Sequence, residues 1–123
     1  MFKQGQNYTR RQIHASLGGS IQSYLPTASG RVVCACLRRD INPEAPFVIL
    51  VGNGAKIKQA GALLAAQPGT IPVFIKQSTG AWTYSGLFRV RRSSQLPADT
   101  KHRAVAAFRA DVTRVIFLEL SSD

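Results

Sequence analysis

Five consecutive apolar residues, Phe47-Val48-Ile49-Leu50-Val51, run directly into Gly52-Asn53-Gly54. A run this short cannot cross a membrane, which takes about 20 apolar residues. Nor does it alternate, as a strand with one wet face must. It predicts a strand buried on both faces, so the rest of the chain has to supply cover for a sheet. The glycines then turn the chain into a helix over 55–67, where Ala60, Leu63, Leu64 and Gln67 recur at helical spacing before Pro68-Gly69 ends it.

The same reasoning places the other elements. Thr9-Arg10-Arg11-Gln12 fits a capping box, so a helix is expected over 9–17, stopped by Gly18-Gly19. Residues 20–30 read as a polar loop, and the β-branched, apolar run 31–37 as a strand. Two prolines make 40–46 a loop. A third strand covers 71–76, with Pro72 at an edge or at the strand start. In the long strand 82–90, alternation puts Trp82, Tyr84, Gly86, Phe88 and Val90 on one face. A helix over 98–110 and a strand over 113–120 close the chain, while the polar residues 1–7 are expected to be loose. The expected fold is a single α+β domain, residues 1–123, with a curled, mostly antiparallel five-stranded sheet or barrel flanked by two or three helices.

Composition narrows the class. A 45% hydrophobic content in 123 residues excludes wholesale disorder and suits one domain. The polar start has no signal-like apolar segment, and two cysteines cannot form a disulfide framework, so a soluble, cytoplasmic chain is expected. The dominant quantity is charge: 16 Lys and Arg against 6 Asp and Glu give +10. The cations come as scattered pairs rather than as one polybasic run beside an apolar anchor, which argues against a membrane partner. Scattered pairs suit a folded surface meeting a phosphate backbone at several points, and arginine, 11 of the 16, matches phosphate and guanine edges with its planar fork.

Catalytic ingredients are scarce. His14 and His102 are the only histidines, and both fall on predicted surface helices. The acids form no paired motif; a metal-dependent nuclease would have to assemble Asp111, Glu119 and a histidine from separate elements. Cys34 and Cys36 lack the spacing and companions of a zinc site and read as buried free thiols. Gly52-Asn53-Gly54 precedes a helix like a phosphate-cradling turn, but position 57 is Ile and no Gly-Lys-Ser/Thr step follows, so no nucleotide cofactor is expected. No cofactor or metal is assigned.

The candidate recognition residues lie in two places. The segment 18–26 packs two glycines, Gln22, Ser23 and Tyr24 into a short stretch, offering close backbone approach, hydrogen bonding to a base edge and stacking. Trp82 and Tyr84 of the long strand are either core or part of the same pocket, with Trp82, at the strand start beside Gly80, the one placed to reach its rim. Arg10, Arg11, Lys56, Lys58, Arg89, Arg91 and Arg92 are the expected phosphate contacts.

The strand Trp82-Thr83-Tyr84-Ser85-Gly86-Leu87-Phe88-Arg89-Val90 resembles the aromatic-x-Tyr-x-Gly-Leu-Tyr-x-Val strand of SRA (SET and RING-associated) domains, which belong to the PUA-like barrels. The wider pattern, Tyr8-Thr9-Arg10, Gly18-Gly19-Ser20, Asn42-Pro43, Ile71-Pro72-Val73-Phe74 and Asp111-Val112, resembles domains associated with HNH-type modification-dependent restriction endonucleases. The resemblance implies binding of modified DNA, with a base flipped into a barrel pocket and any nuclease supplied by a separate domain or subunit. The longer N-terminal motifs of SRA domains have no counterpart here, so no modification and no pocket residue outside 82–90 carries over. The reading is a non-catalytic DNA-binding domain, with RNA left open. The alternatives are a small metal-dependent nuclease and a basic module docking on an acidic protein.

Overall fold

The capping box at Thr9 forms as its residues require. Thr9 Oγ1 accepts from the Gln12 amide and Gln12 Oε1 from the Thr9 amide, opening helix α1, Arg10–Leu17. In the computed structural model of the chain, which describes residues 1–121, the strand β1 (Asn7–Tyr8) precedes that helix. After it come β2 (Thr27–Ala28), β3 (Arg31–Val32), β4 (Ala35–Leu37) and β5 (Val48–Val51). Helix α2 (Ala55–Ala66) leads to β6 (Thr70–Ser78) and the long β7 (Ala81–Ser94). Helix α3 (Pro97–Ala106) and β8 (Arg114–Leu120) complete the fold.

The main sheet has the order β4-β6-β7-β8-β5, parallel between β4 and β6 and antiparallel elsewhere, with β1 added beside the start of β7. The expected small α+β domain with a curled, mostly antiparallel five-stranded sheet is therefore present, as an open half-barrel. Pro72 sits where its missing N–H costs least: the ladder to β4 begins only at Val73.

Alternation along the strands sorts the core into layers. One face carries Ile49 and Val51 of β5, Val73 and Ile75 of β6, Phe88 of β7 and Ile116 of β8, and α2 covers it with Ala60 and Leu64. The other face is covered at its two ends. Ile13 of α1 packs there with Cys34, Cys36, Phe74 and Trp82, and Ala107 beyond α3 packs with Val48, Leu50, Val115 and Phe117. β5 thus contributes alternate residues to two clusters, as a strand buried on both faces must. Phe47 departs from the expectation. It lies just outside β5 and is half exposed, edge-on to Phe88 at 5.6 Å.

Several expectations are corrected. Residues 1–7 are held in place: Phe2 packs edge-on to Tyr8 and Phe74 at 4.9 and 5.0 Å, and the Gly5 amide donates to Tyr84. The run 31–37 is two short strands, because Val33 turns its amide to Pro26 rather than to the sheet. β7 does not present one continuous face. Val73 pairs with Gly86 but Phe74 pairs with Tyr84, so Ser85 is an extra, bulged residue. The bulge reverses the alternation, leaving Trp82 and Tyr84 with the α1 cluster and Phe88 with the α2 cluster. A second bulge at Arg91 does the same near the strand end.

Helix α3 ends in a Schellman arrangement. The Phe108 amide donates to Val105 and the Arg109 amide to Ala104. The residue at the left-handed position, usually glycine, is Phe108 with φ 54°, a conformation costing a side-chain-bearing residue about 1–2 kcal/mol.

Candidate functional site

A cleft of about 790 Å³ opens between α2 and the segment preceding β4. Ser20, Gln22, Ser23 and Tyr24 line one wall with the β2–β3 hairpin; Lys56, Ile57, Gln59, Ala60 and Leu63 line the other. The hairpin turn, Ser29-Gly30, has φ of 52° and 79°, the two positive values that a type I′ turn needs. Gln67, just past α2, ties the end of that helix to β3. Its amide donates to the Val32 carbonyl and its oxygen accepts from the Val32 amide, both at 2.8 Å, imitating a paired strand residue.

The loop wall is braced by its own hydroxyls. Ser20 Oγ accepts from the amides of Gln22 and Ser23 at 3.0 and 3.1 Å, and Ser23 Oγ from that of Leu25 at 3.2 Å. From behind, Arg10 of α1 donates to the carbonyls of Ser20 and Ser23 at 2.9 and 2.7 Å. Gly19 is required: a Cβ there would come within 2.6 Å of Pro26 Cβ. Preorganised polar groups of this kind suit hydrogen-bonded recognition of a ligand edge.

Tyr24 joins this wall to the sheet. Its carbonyl accepts from the Cys36 amide at 2.8 Å and its hydroxyl donates to the Leu50 carbonyl at 3.1 Å. Burial raises the phenol's pKa above its ordinary value. Behind it Arg109 makes two bonds of 2.9 Å to Asp111 and donates to the carbonyls of Ile41 and Leu50. The bidentate bond holds the Asp111 carboxyl below its usual range. Gly52 makes room for this pair, since a Cβ there would lie 2.6 Å from Asp111 Oδ2. The glycine pair after β5 is thus occupied by an internal carboxylate at its first member. Lys56 reaches the cleft; Lys58 is exposed but does not line it.

The expected residues therefore divide. Gln22, Ser23, Tyr24 and Lys56 come together in the cleft. Trp82 and Tyr84 do not join them, because the bulge at Ser85 leaves them on the opposite face. Trp82 is 7% exposed beneath the guanidinium of Arg10 and the ammonium of Lys76. Tyr84 packs at a tilt against Phe2 and Phe74. Arg10 is committed to the loop and to Trp82, and Arg89 faces Glu119 at 3.6 Å. Arg11 is exposed on α1.

Arg91 and Arg92 belong to a second basic region. Their guanidinium carbons lie 5.9 and 3.9 Å from the centre of the Phe117 ring, and that of Arg103 lies 4.8 Å from it. Arg103 also donates to Glu44 at 3.0 Å. Neither Arg103 nor Phe117 stood out in the chain, because an arginine on a helix and a phenylalanine in a strand meet only in space. The β2–β3 hairpin, by contrast, carried a local signal in its Ser-Gly pair.

The five acids among the described residues are all engaged: Asp40, Glu44, Asp111 and Glu119 by arginines, and Asp99 by the Ser94 hydroxyl. Asp111 and Glu119 thus have separate arginine partners, and no described group of three or more His, Cys, Asp or Glu side chains is placed to hold a metal ion. Cys34 and Cys36 are buried and free, with sulfurs 3.9 Å apart. No described helix is long and apolar enough to cross a membrane.

Comparison with known proteins gives a family but no activity. No curated protein and no solved structure matches the chain significantly. The sequence model of a family described as a domain of unknown function, DUF6697, matches residues 7–116, and the chain belongs to that family.

Proposed function

We propose that this domain binds nucleic acid without catalysing a reaction on it, gripping phosphates with its free cations and reading part of the ligand in the cleft beside Tyr24. The observation that carries the reading is the uncompensated charge. Every acid among the described residues is already engaged inside the chain, and only four of the 16 cations stand in ion pairs among those residues. Such a surface attracts a polyanion at long range and releases its counterions on contact. The cleft adds hydrogen-bonding groups on a braced wall, with Lys56 at its mouth. DNA is the first candidate, and the likeness of residues 82–90 to an SRA strand makes modified duplexes the natural comparison.

The test is a fluorescence-anisotropy titration against matched duplexes, plain, methylated, hydroxymethylated and phosphorothioated, and against single-stranded RNA, at two salt concentrations. With Arg11, Lys56, Lys58, Arg91 and Arg92 engaged, log K should fall with log salt at a slope of about −4 to −5. A tenfold preference for one modified duplex, about 1.4 kcal/mol, would make it a modification reader. Gln22→Ala should then erase that preference while leaving the salt slope unchanged. Binding indifferent to salt, or no binding, would overturn the reading in favour of a protein partner.

A further inference from the structure

One side chain is misplaced by every criterion internal to the chain. Phe108 holds the left-handed position that closes α3, where glycine is favoured, and its side chain is 98% exposed. Glycine would serve the turn better and hide no less. Val105, in the last turn of α3, is 77% exposed. The ring therefore contributes nothing to the packing of its own chain, and its apolar surface is available to something outside it.

What lies next to it says what that is. Ala107 packs in the cluster of Phe117, the ring that carries Arg91, Arg92 and Arg103. Since the three guanidinium carbons lie 5.9, 4.8 and 3.9 Å from one ring centre, no two can be farther apart than about 11 Å, close to a Debye length. Among the described residues one carboxylate, Glu44, is ion-paired with any of the three. An excess of fixed positive charge beside an exposed aromatic fits a partner that alternates phosphates with flat apolar faces. An anionic membrane would be met by a broad apolar face with mobile lysines, whereas α3 has ten residues and its neighbouring cations are mainly arginines parked on a ring.

We propose that the C-terminal end of α3 is a nucleic-acid contact surface in which Phe108 stacks on or wedges against a base while Arg91, Arg92 and Arg103 hold the flanking phosphates. It rests on the nucleic-acid reading above and adds a contact outside the cleft.

Phe108→Gly is the deciding variant, because glycine suits the backbone there and the protein should melt at the same or a higher temperature. Anisotropy with the plain duplex and with its single strand should show affinity for at least one of them at least fivefold weaker, at an unchanged salt slope. Arg91→Gln should instead make the slope shallower by about 0.9. If the wild type binds and Phe108→Gly binds equally well, this inference falls and the general reading stands. If the wild type binds neither probe, this inference falls, and the general reading falls with it only when the modified duplexes and the RNA go unbound as well. A lower melting temperature for Phe108→Gly would place the ring in the chain's own packing and overturn the proposal. So would co-sedimentation with phosphatidylserine vesicles that depends on Phe108 while nucleic-acid binding does not.

Discussion

Tyr24 shows how much one side chain can hold together. Its backbone joins β4, its hydroxyl joins β5, and its ring packs on the core beneath the cleft. Tyr24→Phe should cost about 0.5–1.5 kcal/mol in urea unfolding, because one hydrogen bond is lost while Arg109 still serves the Leu50 carbonyl. The pH dependence has a definite sign. Burial raises the folded pKa, so above pH 10 the unfolded chain gives up its proton more readily than the folded one. The contribution of Tyr24 should be constant below that point and fall as pH climbs through the folded value, and Tyr24→Phe should lessen the alkaline loss of stability. Tyr24 was legible as a candidate because its loop was unusual in composition. Arg109 was not, since nothing local distinguishes an arginine that will turn inward from the ten others in the chain.

Elements were readable where their signals are local. The capping box, the apolar run of β5 and the Pro-Gly stop after α2 act over a few residues, and all three appear where expected apart from Phe47 at the edge of the run. The bulge at Ser85 is different in kind. It is set by how β7 meets β6, and one extra residue was enough to carry Trp82 and Tyr84 to the opposite face from the expected pocket. Packing between elements also decides the effect of a helix substitution. Gly61 lies inside α2, and alanine is the better helix former by about 1 kcal/mol. A Cβ there, however, would come within 2.7 and 2.8 Å of the two methyls of Val51. Because Val51 is buried and β-branched, it cannot step aside, so Gly61→Ala should destabilise by about 1–2 kcal/mol. A gain in melting temperature would refute the contact.

At the scale of the whole molecule, charge dominates and its consequences run in opposite directions. The +10 surface repels itself, so raising sodium chloride from 50 to 500 mM should raise the melting temperature of the free protein. The same change should weaken its hold on nucleic acid severalfold or more. A melting temperature that falls with salt would mean that the four ion pairs outweigh the repulsion. The net charge was plain from the chain; the placement of the free cations, on the cleft and on Phe117, required the fold. The ends of the half-barrel carry one more consequence. At the outer side of β4 the Cys36 amide is taken by Tyr24, and at the outer side of β5 the Leu50 amide is taken by Asn42 and its carbonyl by Tyr24 and Arg109. The sheet therefore offers little unclaimed backbone at these positions for a foreign strand to join. Copies of this domain should resist zipping edge to edge into aggregates, and a partner must recognise it through side chains rather than by lengthening the sheet.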